Sequence, residues 1–172
     1  GKGFFSLNSD GSRADLIMIK GGGYRHPSSE ETLREKVVDE YGNIRSDEQG
    51  YMQGGDVFNF VIREIPRDIK KTLEYAGDTA DSFDYIVFHQ ANNFINAYIA
   101  KKMKLDTDKI PSTIAKYGNT SSVSVPLTIV SELKDRLYGN KKLLLSAFGV
   151  GMTWATGIVP FVDCKISDIV EV

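Results

Sequence analysis

Apolar and polar positions along this chain switch between a four-residue recurrence and short continuous runs, and the switch points mark out its elements. From Asp56 onward Val57, Val61, Ile65, Ile69 and Leu73 recur every fourth residue, which places them on one helical face. Pro66 lies inside that run, lacks an N–H, and is expected to kink the helix or divide it. Gly77-Asp78 is expected to end it. Tyr85-Ile86-Val87-Phe88 reads as a buried strand, and Phe94 to Met103 as a helix. Ile110 to Ile114 predicts a further strand, although Pro111 weakens it. Pro126 suits the first turn of a helix running to about Leu137. Lys141 to Phe148 and Thr153 to Val162 read as strands on either side of Gly149-Val150-Gly151. Near the N-terminus, Phe4 to Leu7 and Ala14 to Ile19 flank Asp10-Gly11, a turn signal that predicts an antiparallel hairpin. Gly21 to Gln53 reads as an irregular excursion with one turn of helix within Glu30 to Val38.

Strands that alternate with helices after residue 80 imply an α/β layered sheet. Right-handed crossovers place successive strand-to-helix loops at the carboxyl edge of neighbouring parallel strands. Two short motifs fall on such predicted loops: His89-Gln90-Ala91-Asn92 and Gly118-Asn119-Thr120-Ser121. His89 and Asn119 are thereby expected at one rim of the sheet.

Composition narrows the chemistry. The 172 residues fit one domain, with 41% apolar and 26% charged residues. A net charge of −2 offers no basic field for nucleic acid or an anionic membrane. No apolar run reaches transmembrane length. A single cysteine excludes an internal disulfide and fits a reducing cytoplasm. One cysteine and two histidines at unrelated positions give no metal-site spacing. Gly21-Gly22-Gly23 lacks the Lys-Ser/Thr of a phosphate loop. His26 reads as a solvated surface histidine, Cys164 as a small packing residue, and Phe148 and Trp154 as core.

A neutral imidazole and a carboxamide each supply an N–H donor without gaining or losing charge. Two such donors converging on a thioester carbonyl oxygen would stabilise the enolate left when a malonyl thioester loses carbon dioxide. Removing one donor of this kind typically costs about 3–4 kcal/mol of barrier.

The order and content of the motifs resemble the C-terminal half of β-ketoacyl-acyl-carrier-protein synthase III, a family of the thiolase superfamily. Ser9-Asp10-Gly11-Ser12, Gly54 to Phe58, His89 to Asn92, Tyr117 to Ser121 and Ala147 to Trp154 carry the resemblance. It implies a thiolase-like α/β fold: one half of a duplicated layered αβαβα architecture, with a mixed five-stranded sheet and helices packed on it. It also implies that residues 1–172 are a single C-terminal domain, with the N-terminal nucleophile domain absent. His89 and Asn119 match the family's catalytic pair. Gly54, Phe58 and Asn92 match positions along the tunnel for the phosphopantetheine arm. Gly149, Val150 and Gly151 match a loop whose backbone N–H groups form a second oxyanion hole.

The activity so implied is decarboxylative condensation of an acyl-CoA primer with malonyl-acyl carrier protein in fatty acid synthesis. The enzyme would be cytoplasmic, a homodimer when full length, and without metal or permanently bound cofactor; coenzyme A thioesters and the phosphopantetheine-carrying acyl carrier protein would be substrates. Two readings stay open beside it: a non-catalytic companion subunit, and a paralogue making short acyl groups for a specialised product. One departure is local. Where the family often has a basic residue two positions after the Asn of the histidine motif, this chain has Phe94, with Lys101, Lys102 and Lys104 further along the same helix.

Overall fold

A computed structural model describes residues 1–170. In chain order its strands are β1 (Phe4–Ser9), β2 (Ile17–Met18), β3 (Lys36–Val37), β4 (Ile44–Arg45), β5 (Tyr51–Met52), β6 (Tyr85–Phe88), β7 (Asn140–Gly149) and β8 (Thr153–Val162). Its α-helices are α1 (Glu30–Leu33), α2 (Gly54–Ala76), α3 (Asn93–Met103), α4 (Ile114–Tyr117) and α5 (Ser124–Leu133). The main sheet has the order β1-β8-β7-β6, with β6 parallel to β7 and the other pairs antiparallel. The mixed sheet is as expected, but among the described residues it has four strands and not five. The segment expected as the fifth does not pair: residues 110–113 are irregular and Ile114 opens the helical turn α4.

Helices cover both faces of the sheet. Val61, Ile65 and Ile69 of α2 and Ile99 of α3 pack on Ile86, Phe88, Leu144 and Ile158. On the other face Ile129 and Leu133 of α5 pack on Val87 and Leu143. Alternation along each strand sends neighbours to opposite faces, so the two cores use alternate residues of the same strands. Pro66 does not divide α2, which runs unbroken for 23 residues to Gly77, where φ is 68°.

The predicted N-terminal hairpin is replaced by two separate pairings. β1 runs antiparallel to β8, whereas β2 pairs with β5 and closes the base of the excursion. Asp10 does not turn a hairpin. Its carboxylate caps a 3-10 helix over Gly11–Leu16, accepting from the Ser12 N–H at 3.1 Å and from Arg13 Nε at 3.1 Å. Local side-chain capping of this kind competes with the strand ladder and here prevails. Within the excursion the expected single turn of helix is α1, capped by Ser29 and Thr32.

Beyond Phe4, which packs against the larger core, the alternation of β1 is inverted. Ser6 and Asn8 point inward, while Phe5 and Leu7 on the α5 side of the sheet are 65% and 80% exposed. The cause is Asp68 of α2, a carboxylate only 3% exposed. One of its oxygens accepts from Ser6 Oγ at 2.5 Å and Asn8 Nδ2 at 2.8 Å; the other accepts from Thr156 Oγ1 at 2.6 Å. Ser6 and Thr156 stand opposite each other in the β1–β8 ladder. A one-residue slip of β1 would turn Ser6 and Asn8 to the other face while Thr156 stayed in place on β8, so the carboxylate fixes the register. Gly157 fits the same pairing, because a Cβ there would lie 3.0 Å from the Phe5 ring opposite.

Replacing Asp68 by Ala should therefore destabilise the chain by about 2 kcal/mol, because the buried Thr156 hydroxyl and the part-buried Ser6 and Asn8 donors lose their acceptor. Urea unfolding of Asp68→Ala beside the surface control Asp56→Ala measures this. Equal midpoints would show that the network does not hold β1.

Candidate active site

A cleft of about 1110 Å³ opens at the carboxyl end of β6, the edge of its parallel pair with β7. His89 follows β6 directly, and its N–H continues the ladder by donating to Ser146 O at 2.8 Å. The ring is 9% exposed and meets the edge of Phe148, with centroids 5.0 Å apart. His89 Nδ1 lies 2.6 Å from Ser124 Oγ, which also accepts from the Gln90 N–H at 3.3 Å. Ser124 is the first residue of α5 and is 1% exposed. Burial pushes the imidazole below its ordinary value, which favours the neutral ring.

Asn119 reaches the same cleft by a different route from the one its sequence predicts. It follows no strand. Residues 110–113 are held beneath the His89 loop by the side chain of Gln90, whose Oε1 accepts from the Thr113 N–H at 3.0 Å and from Ser112 Oγ at 3.1 Å. The Gln90 amide Nε2 donates back to Phe88 O at 2.8 Å. The helical turn α4 follows and stops at Gly118, whose φ of 66° and ψ of −153° suit glycine. Asn119 then accepts from the Ser121 N–H through Oδ1 at 2.9 Å. With the oxygen engaged in that turn, the Nδ2 end is the one left to donate outward.

Gly54 and Phe58, on the first turns of α2, line the cleft, as does Asn92. Asn92 caps α3 by accepting from the Phe94 N–H at 2.7 Å, which leaves its amide nitrogen as a donor. Gly149 and Val150 also line it, but Gly151 does not. Gly151 sits behind the hairpin with φ of 131°, where a Cβ would lie 2.9 Å from Thr153 Cγ2. Val150 O accepts from Thr153 Oγ1 at 3.0 Å.

Phe148 and Trp154 pack half-buried against the larger core, as expected, and His26 is exposed. Cys164 corrects its expectation: it is exposed and free, not packed. Phe94 is 66% exposed and stacks on Phe58 with centroids 5.6 Å apart. Lys102 donates to Ile62 O at 2.7 Å and lies over the Tyr98 ring.

The charge content of the wall limits the chemistry. Among the described residues lining the cleft there is no Asp, Glu, Lys or Arg, and His89 is the one imidazole. The site can donate hydrogen bonds from neutral groups within a mostly apolar enclosure, where such bonds are stronger than in water. Sequence reasoning missed Gln90 and Ser124. Gln90 stood inside the quoted motif without a role, and its adjacency to His89 was the available signal. Ser124 carried none beyond its place before Pro126.

Comparison with known proteins identifies the family. A family model described as "3-Oxoacyl-[acyl-carrier-protein (ACP)] synthase III C terminal" matches residues 73–161. The chain belongs to this family. A β-ketoacyl-[acyl-carrier-protein] synthase III of Streptococcus pneumoniae is 34% identical over 158 residues, covering 90% of this chain and 45% of the relative. A crystal structure of a 3-oxoacyl-(acyl-carrier-protein) synthase III superposes with a TM-score of 0.84 at 36% identity, covering 90% of this chain and 46% of that one. The corresponding synthase from Burkholderia xenovorans LB400 gives a TM-score of 0.82 at 36% identity, covering 95% of this chain and 45% of that one. The fold is thiolase-like, and the chain spans about half the length of the relatives it matches. No helix among the described residues is long and apolar enough to cross a membrane.

The depressed imidazole value has a pH consequence. In the unfolded chain His89 takes a proton near its ordinary value of about 6.5, while the folded ring resists it. The unfolded state then binds more protons, so His89 contributes stability above that value and loses it as pH falls toward the folded one. Ring titration followed by NMR should show His89 protonating below the ordinary range. Titration at or above that range would contradict the burial argument.

Proposed function

We propose that this chain is the C-terminal half of a condensing enzyme that joins an acyl group from coenzyme A to malonyl-acyl carrier protein. The observation that supports the reading is a cleft without charged wall residues that both His89 and Asn119 line. A charged donor would favour the substrate carboxylate that has to leave. Neutral donors instead favour the oxygen on which charge develops.

In the proposed reaction the malonyl thioester lies with its carbonyl oxygen between His89 and Asn119. The bond to the carboxylate breaks, carbon dioxide departs, and its electron pair passes into the enolate. The enolate carbon attacks an acyl thioester on a cysteine of the N-terminal half. A carbon–carbon bond forms, the carbon–sulfur bond breaks, and the cysteine leaves as thiolate. Gly149 and Val150 line the same cleft, and their backbone N–H groups would serve the tetrahedral intermediate of that second step. Gly151 belongs to the same loop but does not line the cleft, so the role is proposed for its two neighbours. Gly54 and Phe58 would give the phosphopantetheine arm an apolar wall, and the Asn92 amide nitrogen would donate to an amide of the arm.

The N-terminal half would cover the exposed Phe5 and Leu7 on the α5 side of the sheet. The whole enzyme would be a cytoplasmic homodimer needing no resident cofactor. Its supply of the nucleophile from the other half agrees with Cys164 lying exposed outside the cleft wall.

The chain alone is expected to catalyse no condensation. Joined to a nucleophile-bearing N-terminal half, it should release carbon dioxide from malonyl-acyl carrier protein and form a β-ketoacyl product. His89→Ala and Asn119→Ala should each lower that rate by roughly a hundred- to a thousandfold. Turnover by the isolated chain, or full activity in either variant, would refute the mechanism.

A further inference from the structure

We infer that Ser124 is a positioning residue that fixes the tautomer of His89, delivering its hydroxyl proton to Nδ1 so that Nε2 carries the ring hydrogen into the cleft. The inference rests on the reading of His89 as an oxyanion donor and extends it to a residue that touches no reacting atom.

Hydrogen counting carries the assignment. Ser124 Oγ has one hydrogen to give and two lone pairs to offer. The Gln90 N–H points at this oxygen from 3.3 Å and occupies a lone pair. The Ser124 hydrogen then needs an acceptor, and the hydroxyl is in a residue only 1% exposed, away from bulk water. Among the described residues its hydrogen-bond partner beyond Gln90 is His89 Nδ1, 2.6 Å away. A neutral imidazole carries one hydrogen, so accepting at Nδ1 places that hydrogen on Nε2. The reverse arrangement would have the Ser124 oxygen accept twice and leave its own hydrogen buried without a partner, which is costly.

The surroundings hold this hydroxyl in place. Ser124 O accepts from Thr128 Oγ1 at 2.8 Å, and Thr128 Oγ1 lies 2.8 Å from Thr113 Oγ1. The Thr113 N–H is itself bound by Gln90 at 3.0 Å. The start of α5, the loop after β6 and the segment before α4 thus share one buried network, with Ser124 at its junction with the ring. The other side of the ring rests on Phe148, which leaves no polar competitor for Nδ1 there.

The test begins with ring nitrogen NMR on the chain labelled at histidine with nitrogen-15, using His26→Gln to assign the two residues. The wild-type His89 ring should be protonated at Nε2 and unprotonated at Nδ1. Ser124→Ala should shift the ring toward the other tautomer, and Ser124→Thr, which keeps a hydroxyl, should restore it. A wild-type ring protonated at Nδ1, a measurement that needs no variant, overturns the inference. So does a tautomer unchanged in Ser124→Ala.

With the nucleophile-bearing half joined on, Ser124→Ala should lower kcat by about tenfold or more, bounded by the hundred- to thousandfold loss of a whole donor, with KM for the malonyl thioester little changed. Unchanged kcat in that variant also overturns it. If the tautomer follows the hydroxyl while no form of the joined enzyme condenses anything, the proposed function fails and the tautomer assignment stands.

Discussion

The cleft depends on the buried carboxamide of Gln90. The sheet ends at β6, so the outer edge of that strand presents backbone groups with no neighbouring strand to take them. Gln90 is fully buried and turns its side chain back along this edge, donating to Phe88 O and accepting from the Thr113 N–H. One side chain thereby replaces a strand partner. It satisfies the edge and binds the returning segment to it, and α4 and the Asn119 loop hang from that attachment. A fully paired fifth strand would give residues 110–114 a straight path along the sheet. The side-chain tether lets the backbone turn into α4 within a few residues and bring Asn119 round to the mouth.

Polar groups inside this chain are concentrated in two networks with different work. The Asp68 network is charged, lies between α2 and the β1–β8 pair, and sets strand register. The Ser124–Gln90–Thr113 network is neutral, lies at the end of β6, and orients the site. Keeping the carboxylate on the far strands matters to the chemistry. An ionised group near the His89 ring would draw a proton onto it and convert a neutral donor into a cation. The wall of the cleft has no such group, and burial alone acts on the imidazole.

What could be read from the residues follows the strength of their periodicity. The α2 face, β6, α3, β7 and β8 appeared in the sequence because each buries a continuous or regularly spaced apolar set. Their observed bounds differ from expectation by a residue or two. The N-terminal hairpin and the fifth strand failed for a shared reason. In both, a short polar side chain captures backbone groups that a ladder would otherwise use: Asp10 takes the Ser12 N–H, and Gln90 takes the Thr113 N–H. Sequence windows weigh apolar spacing and do not register a single side chain outbidding a strand. His89 and Asn119 were paired by an argument that assumed two parallel strands. Their meeting at one cleft is observed, yet only His89 stands at a strand end. The family resemblance groups Gly151 with its neighbours, whereas of that loop only Gly149 and Val150 line the cleft.

The inverted pattern of β1 bears on how the chain sits within the larger protein its relatives represent. A strand in a self-contained domain turns apolar side chains inward, and β1 does so with Phe4 but turns Ser6 and Asn8 inward after it. The Asp68 network explains why the inner positions are polar, but not why Phe5 and Leu7 are apolar on the side that α5 leaves open. Exposed apolar pairs there are costly to solubility and gain nothing for this chain by itself. They become consistent once the proposed N-terminal half lies against that face. The arrangement then makes sense as a division of labour. In the proposed reaction this half would hold the enolate oxygen with neutral donors, and the cysteine would come from a separate structural unit. The donors and the nucleophile would then sit on separate walls, and the nucleophile could be activated in surroundings that need not be as free of charge as this cleft.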